Sequence, residues 1–398
     1  MPLSACVAGV AQHRAQRHFR DTPLFSIEQW ANLAAEALSD AGIEPGEVDG
    51  ICCGGDIIEA SRFVPATIAE YCGWSVNLAE RVDLGGASAV GAVWRAATAI
   101  DAGLCDVVVC GFVSEPRPPD PNPGPPDPGY VYGASSNEWG SPQAEFDIPY
   151  GNLGQNCGYA MYARRYHDLH GWDEASRAKI VVDQRASAAV NPDAVFHGVP
   201  VTADEVLSSP MIATPLHMFE IVMPVSGAAA VVVTSQKRAG SARHRPVRVA
   251  GFGEHITHKT PTYAPDLLTT PVAAAAQKAL AMAGITPADV DMVQIYDCYS
   301  ITVLLTIENS GFCGPGQGLA FVRDHDLSYR GDFPCNTHGG QLGFGQAGLA
   351  GGMSHVVEAV AQIQGRAGER QLARHDRAYV SGTGGVMSEQ SALVLVGL

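Results

Sequence analysis

The sequence predicts an α/β protein built of two pseudo-symmetric βαβ-repeat halves that form a five-layer αβαβα arrangement, with a cap or loop insertion in the first half. Three observations predict it. Residues 34–49 (AAEALSDAGIEPGEVD) and 276–291 (AQKALAMAGITPADVD) agree at nine of sixteen positions at a constant offset of 242. The preceding strands repeat at the same offset: Val7-Ala8-Gly9 faces Val249-Ala250-Gly251, and His13 faces His255. Each half also carries a helical stretch of small, almost uncharged residues, 85–102 and 348–364. A helix that is apolar on every side belongs between two layers, not at a surface.

The elements follow in order. In each half an apolar strand feeds an Ala/Leu-rich helix ending in Ala-Gly-Ile-x-Pro, where Gly supplies a left-handed cap and Pro stops continuation. Short apolar strands come next, at 48–53 and 292–296. Beyond the small-residue helices lie apolar strands at 106–111 and 377–381, and the chain closes on 391–396. Ser226-Gly227-Ala228-Ala229-Ala230-Val231-Val232-Val233 ends the first half. These elements divide the chain into an N-terminal half (residues 1–111 and 221–245), a loop or cap insertion (112–220) and a C-terminal half (246–398). Such an insertion commonly covers an active site. Within it, 116–129 (PRPPDPNPGPPDPG) is too proline-dense for a regular element and reads as an extended surface arm. The glycine-rich 151–158 (GNLGQNCG) follows no apolar strand, which argues against a phosphate cradle. Residues 157–166 read as a helix lining the cap or a dimer contact.

Composition narrows the function. The 398 residues carry a formal charge of −16, yet only 17% are charged and 46% are hydrophobic. An acidic chain repels phosphate backbones and anionic lipid, and its one basic run is Arg243-His244-Arg245, so neither nucleic acid nor membrane is an expected partner. No apolar run approaches the roughly 18 residues needed to span a bilayer, and residues 1–6 lack the basic-then-apolar pattern of a leader. A cytoplasmic location is expected. The ten cysteines include no C-x-x-C, which speaks against a disulfide framework or a zinc site. His167-x-x-His170 and His255-x-x-His258 have helical ligand spacing, but neither has an intervening Glu or a third ligand nearby, so both pairs read as packing or surface histidines and no metal is expected.

The duplicated halves, the buried glycine-rich helix, SGAAAVVV, YDCY at 296–299, NTHGG at 336–340 and SGTGG at 381–385 together resemble the thiolase superfamily. Within it the chain looks most like the branch of sterol carrier protein X and the lipid-transfer-protein aldolases that cleave steroid side chains. The likeness spans nearly the whole chain and implies the thiolase fold; its chemistry must be carried over residue by residue.

Thiolases use a cysteine nucleophile at the start of the first buried helix, with a His and a second Cys as bases. The family's Cys-x-x-Gly-x-x-Ala helix and following strand overlay residues 86–111, which places Gly86 at the nucleophile position. Counting from Asn336 places Gln346 where the His of Gly-His-Pro belongs, and Ser381 stands for the late Cys. With all three side chains replaced and neither Gly nor Gln open to acylation, the resemblance argues against thioester exchange through a covalent acyl-enzyme. The implied scaffold still suits an acyl-CoA and the enolate of its thioester, with Gly86, Ser381, Gly384 and Gly385 as oxyanion or CoA-binding positions.

These parts imply retro-aldol cleavage of the Cα–Cβ bond of a bulky, steroid-like 3-hydroxyacyl-CoA, with the CoA thioester as substrate and no further cofactor. The catalytic candidates are Tyr296, His338 and Gln346. Tyr296 stands where thiolases of this branch carry His and related aldolases carry a catalytic Tyr. With an ordinary phenol pKa near 10 it needs electrostatic help to act as a base. His338 is the nearest titratable group to Gln346 in sequence and suits an acid/base or thioester role, or a structural one beside its glycine turn. Gln346, where the aldolases usually carry a second Tyr, donates a hydrogen bond but exchanges no proton. Asp297 and Tyr299 are second choices, and strand alternation turns Asp297 away from Tyr296. The resemblance also implies a homodimer or heterotetramer with a small OB-fold, zinc-ribbon protein. Two alternatives stay open: a thiolase or acyltransferase using Cys157, Cys298 or Cys335, and a non-catalytic acyl-CoA-binding subunit.

Overall fold

The repeated Val-Ala-Gly and Ala-Gly-Ile signatures fold as two equivalent strand–helix units. Strand β1 (Cys6–Gln12) is followed by helix α1 (Ser26–Ala41), and Gly42 caps that helix at φ 68°. In the second half the Val247–Ile256 strand precedes the Val272–Ala283 helix, capped by Gly284 at φ 69°. The repeated Gly of Val-Ala-Gly has a packing reason. A Cβ on Gly9 would lie 2.6 Å from the Ala37 carbonyl oxygen, and one on Gly251 would lie 2.1 Å from that of Ala279, so each helix backbone rests directly on its strand.

The computed structural model describes residues 4–17, 25–55, 57, 59, 60, 62–114, 140, 142–152 and 154–398. The proline-dense stretch 116–129 lies outside them. Beyond β1, the strands of the main sheet are β2 (Gly50–Gly55), β3 (Leu78–Arg81), β4 (Val107–Ser114), β5 (Gly227–Thr234), β6 (Val247–Ile256), β7 (Met292–Gln294), β8 (Arg377–Gly384) and β9 (Glu389–Gly397). Beyond α1, the helices that matter here are α2 (Val64–Cys72), α3 (Ser88–Asp101), α4 (Gln155–His170), α5 (Glu174–Ala189), α6 (Val272–Ala283), α7 (Ser300–Asn309), α8 (Gly340–Phe344) and α9 (Ala350–Ile363).

Among the described residues the strands form one nine-stranded sheet in the order β3-β2-β4-β5-β1-β6-β9-β8-β7. The two halves meet edge to edge at β1 and β6 through the pairs Cys6↔Arg248 and Val7↔Val247. An isolated parallel bridge, Val293↔Cys335, sits beyond β7 where β3 sits beside β2. The layers follow from strand alternation. Val108 and Cys110 of β4 and Val380 and Leu393 of β8 and β9 face one central cluster that contains α3 and α9. Val107 and Val109 face α1 and α2 on the far side of the first half. Tyr379, Ala392 and Val394 face α6 and α7 on the far side of the second. The expected αβαβα order is thus realised, with the two small-residue helices in its middle.

The helices α4 and α5 of the insertion pack against the second half, while Ala15 N–H of the first half donates to the Asp193 carbonyl at 3.2 Å. Tyr159, Tyr162, Tyr166 and Ile180 of α4 and α5 share a buried cluster with Ile301, Leu304 and Leu305 of α7. A buried Arg177–Glu220 ion pair adds a polar tie, and Ser300 Oγ donates to Glu220 Oε1 at 2.7 Å. These contacts hold α4 over the ends of β7 and β8.

One core residue shows how strongly the first half is fixed. Trp30 is fully buried, and its Nε1 donates to the Gly111 carbonyl at 3.0 Å. Trp30→Ala is expected to destabilise the protein by about 3–5 kcal/mol, from the cavity plus the orphaned carbonyl. Chemical denaturation reads this directly, and a loss under about 1 kcal/mol would contradict the packing described.

Candidate active site

Tyr296 follows the end of β7, and its neighbours are held as if the strand continued. Ile295 N–H donates to Asn336 Oδ1 at 2.7 Å, and Asn336 Nδ2 donates back to the Ile295 carbonyl at 2.9 Å. Tyr296 N–H donates to Ser381 Oγ at 3.4 Å. Its side chain, 4% exposed, crosses into the space above the first turn of α3. A Cβ built on Gly86 would lie 2.2 Å from Tyr296 Cζ and 2.4 Å from its hydroxyl oxygen. The phenol therefore occupies the volume that any side chain at position 86 would need. Gln346 Nε2 donates to the Tyr296 hydroxyl oxygen at 2.9 Å.

These groups line a cavity of about 520 Å³ at the carboxyl ends of the strands. One wall is glycine: Gly85 and Gly86 against Gly384 and Gly385, packed so closely that a Cβ on Gly384 would lie 1.9 Å from the Leu84 carbonyl oxygen. Gly85 (φ 53°) and Gly385 (φ 57°) are left-handed, which favours glycine there. Gln155 and Tyr159 of α4, Cys298 and Lys259 contribute other walls, and Arg81 and Asp83 also line it. A cavity of this volume is large enough for a small molecule, and its lining is rich in polar side chains.

The structure thus brings together Gly86, Tyr296, Gln346, Gly384 and Gly385 and leaves two expected residues outside. Ser381 is fully buried and does not line the cavity; it holds the Tyr296 backbone from behind. His338 is 2% exposed and also lies outside the lining, its Nε2 3.3 Å from Ser354 Oγ and its ring 5.0 Å from that of His355. Burial, with the charges of His355 and Arg370, holds its pKa well below the usual imidazole value. An acid/base role at the cavity has no geometric basis for His338. The physical reason is the turn at 336–340, where Asn336 (φ 55°) and Gly339 (φ 110°) reverse the chain and carry the ring behind the cavity wall.

Of the second choices, Asp297 accepts from the N–H groups of Gln341 and Leu342 at 2.7 and 3.0 Å and lies 3.2 Å from His355 Nε2, facing away from the cavity. Tyr299 donates to Asn156 Oδ1 at 2.6 Å and stacks on Tyr159. The cysteines offer little to a thiol mechanism. Cys298 lines the cavity, but desolvation pushes its thiol up to about 12, and burial also raises that of Cys335. Cys157 is exposed on the other face of α4 from Gln155 and Tyr159, outside this cavity. His167, read from its spacing as packing or surface, is buried and bonded to the Gly171 carbonyl at 2.8 Å and to Arg177. Among the described residues no group of three or more His, Cys, Asp or Glu could hold a metal ion, and no helix is long and apolar enough to cross a membrane.

Sequence reasoning missed Tyr159, Gln155 and Lys259. The signal for the first was present, since Tyr159 lies on the helix that the sequence indicated over 157–166; Gln155 lies one turn earlier, where the helix begins in the structure. For Lys259 there was none.

The geometry defines a site in which a tyrosine of the second half fills the volume over Gly86, the position that the resemblance aligns with a thiolase nucleophile. The family model described as thiolase C-terminal domain-like matches residues 253–397. A steroid side-chain-cleaving aldolase of Thermomonospora curvata is 29% identical over 379 residues, covering 92% of this chain and 91% of that one. The 17-hydroxy-3-oxo-4-pregnene-20-carboxyl-CoA lyase of Mycobacterium tuberculosis is 31% identical over 342 residues, covering 84% and 86%. The solved Ltp2-ChsH2(DUF35) aldolase superposes with a TM-score of 0.86 at 27% identity, covering 100% of this chain and 98% of that one. The chain belongs to the thiolase superfamily, in the branch of the steroid side-chain-cleaving aldolases and the sterol carrier protein thiolases.

Proposed function

We propose that the protein is a carbon–carbon lyase that cleaves the Cα–Cβ bond of a bulky, steroid-like 3-hydroxyacyl-CoA, giving a ketone and a short acyl-CoA. The observation that carries this reading is Tyr296 standing in the volume of the missing thiolase nucleophile. A phenol at that point can take the proton of a 3-hydroxyl group, and the Gln346 carboxamide stabilises the phenol oxygen as it gains negative charge. The Cα–Cβ electron pair then passes to the thioester as an enolate, opposite the glycine wall, whose backbone N–H groups are the proposed oxyanion donors. The hydroxyl proton removed equals the α-carbon proton later gained, so the reaction balances on the CoA thioester alone with no further cofactor.

The names of the relatives support the substrate class: a steroid side chain in one and a pregnene carboxyl-CoA in the other. The solved Ltp2-ChsH2(DUF35) aldolase supports a second protein as partner. On this reading the chain works in the cytoplasm, where CoA thioesters are made, as a dimer or heterotetramer with a small OB-fold, zinc-ribbon protein. The test is product analysis with a steroid-type 3-hydroxyacyl-CoA, by the protein co-expressed with its neighbouring open reading frame. Release of a ketone and acetyl- or propionyl-CoA without free CoA is the expected result. Thiolysis of a 3-ketoacyl-CoA that requires free CoA and stops on alkylation would overturn it.

A further inference from the structure

Retro-aldol chemistry needs a group that delivers a proton to the α-carbon, and Gln346 has none to give. We infer that Tyr159, supplied by the cap helix α4, is the proton donor to the enolate carbon; the inference rests on the lyase reading above. Three features carry it. The first is position. Tyr159 lines the same cavity as Tyr296, and its hydroxyl donates to the Gly385 carbonyl at 3.3 Å, in the glycine wall proposed to hold the thioester. The second is rigidity. The residue is 1% exposed, and its ring stacks on that of Tyr299 with centroids 4.0 Å apart and planes 20° from parallel. Tyr299 is tied in turn to Asn156 of α4.

The third is the contrast between two phenols in one cavity. Burial raises the Tyr159 phenol well above its ordinary value, and the neighbouring Cys298, Tyr299 and Tyr296 act in the same direction. Tyr159 therefore carries its proton at neutral pH. Tyr296 instead accepts the Gln346 carboxamide N–H on its oxygen at 2.9 Å, a contact that Tyr159 does not share. Two like groups placed in unlike surroundings take the two proton-transfer roles, one as base and one as acid.

The step is balanced as follows. As the Cα–Cβ pair collapses onto the thioester, Tyr296 holds the hydroxyl proton; the enolate then re-forms the thioester carbonyl while its α-carbon takes the Tyr159 proton. The proton on Tyr296 leaves to solvent and one from solvent returns to Tyr159, so no net proton is consumed.

Deuterium exchange separates this role from a structural one. Propionyl-CoA incubated with the complex in D2O acquires deuterium at its α-carbon only if a cavity group removes and returns that proton, a process that needs no 3-hydroxyl and hence no Tyr296 base. The expected result is exchange by the native complex and a loss of at least ~100-fold in Tyr159→Phe. Phe keeps the stacked ring, and melting temperature checks the fold. A 3-fluorotyrosine at position 159 leaves shape almost unchanged and should move the alkaline limb of the exchange profile to lower pH. The other titratable groups lining the cavity, Arg81, Asp83, Lys259, Tyr296 and Cys298, are unaltered in that variant. Exchange unaffected by either change, exchange lost instead in Lys259→Met, or no exchange by a complex that cleaves would overturn the assignment and leave the lyase reading standing. No cleavage by the native complex would overturn both.

Discussion

Replacing Gly86 by alanine is expected to reduce carbon–carbon cleavage at least ~100-fold, the scale set by displacing a reacting group by about an ångström. The new methyl would lie 2.2 Å from Tyr296 Cζ and 2.3 Å from the Thr383 carbonyl oxygen. One of these neighbours is backbone, so relief falls on the tyrosine, which must swing out of the cavity and away from Gln346. Overpacking of this kind should also lower stability by about 1–3 kcal/mol. Gly86→Cys is the sharper version. It restores the residue type a thiolase carries at this position, yet it should gain no thiolysis activity, since the tyrosine that excludes the thiol is still present and the His and second Cys are absent. Assays of cleavage and of thiolysis on both variants check this. A fully active Gly86→Ala protein would show that Tyr296 does not act from the position seen.

Tyr296→Phe carries the second large effect. Removing one oxygen leaves the ring in place above Gly86 and deprives the reaction of its proposed base. The expected result is a fall in kcat of at least ~100-fold with little change in the KM for the acyl-CoA, because the glycine wall and the outer cavity are untouched. Stability should fall by only about 1 kcal/mol, the usual net worth of one hydrogen bond. Undiminished activity in the assembled complex would favour a chain that binds acyl-CoA while another subunit performs the chemistry.

The fold was legible because its signals are local. Gly42 and Gly284 end equivalent helices at φ 68° and 69°, and a helix cap needs only its own few residues to declare itself. The small-residue helices announced a central layer by having no polar face, and α3 and α9 lie there. Element ends were less exact. The strand expected over 292–296 is regular only to Gln294, because from Ile295 onward the Asn336 side chain, not a neighbouring strand, supplies the hydrogen bonds.

The site divides along the same line. The amino-acid sequence by itself showed Gly, Gln and Ser at positions 86, 346 and 381, which the family resemblance aligns with the thiolase catalytic side chains, and a buried strand just ahead of Tyr296, since residue type and local pattern suffice for these. Tertiary structure alone decided that the phenol of Tyr296 fills the space over Gly86, that Gln346 meets its oxygen, that His338 is turned out of the cavity, and that Tyr159 enters it from the cap. Each of these is a contact between segments far apart in the chain. No periodicity encodes such a contact, because it exists only once the two halves and the insertion have buried their apolar faces against one another.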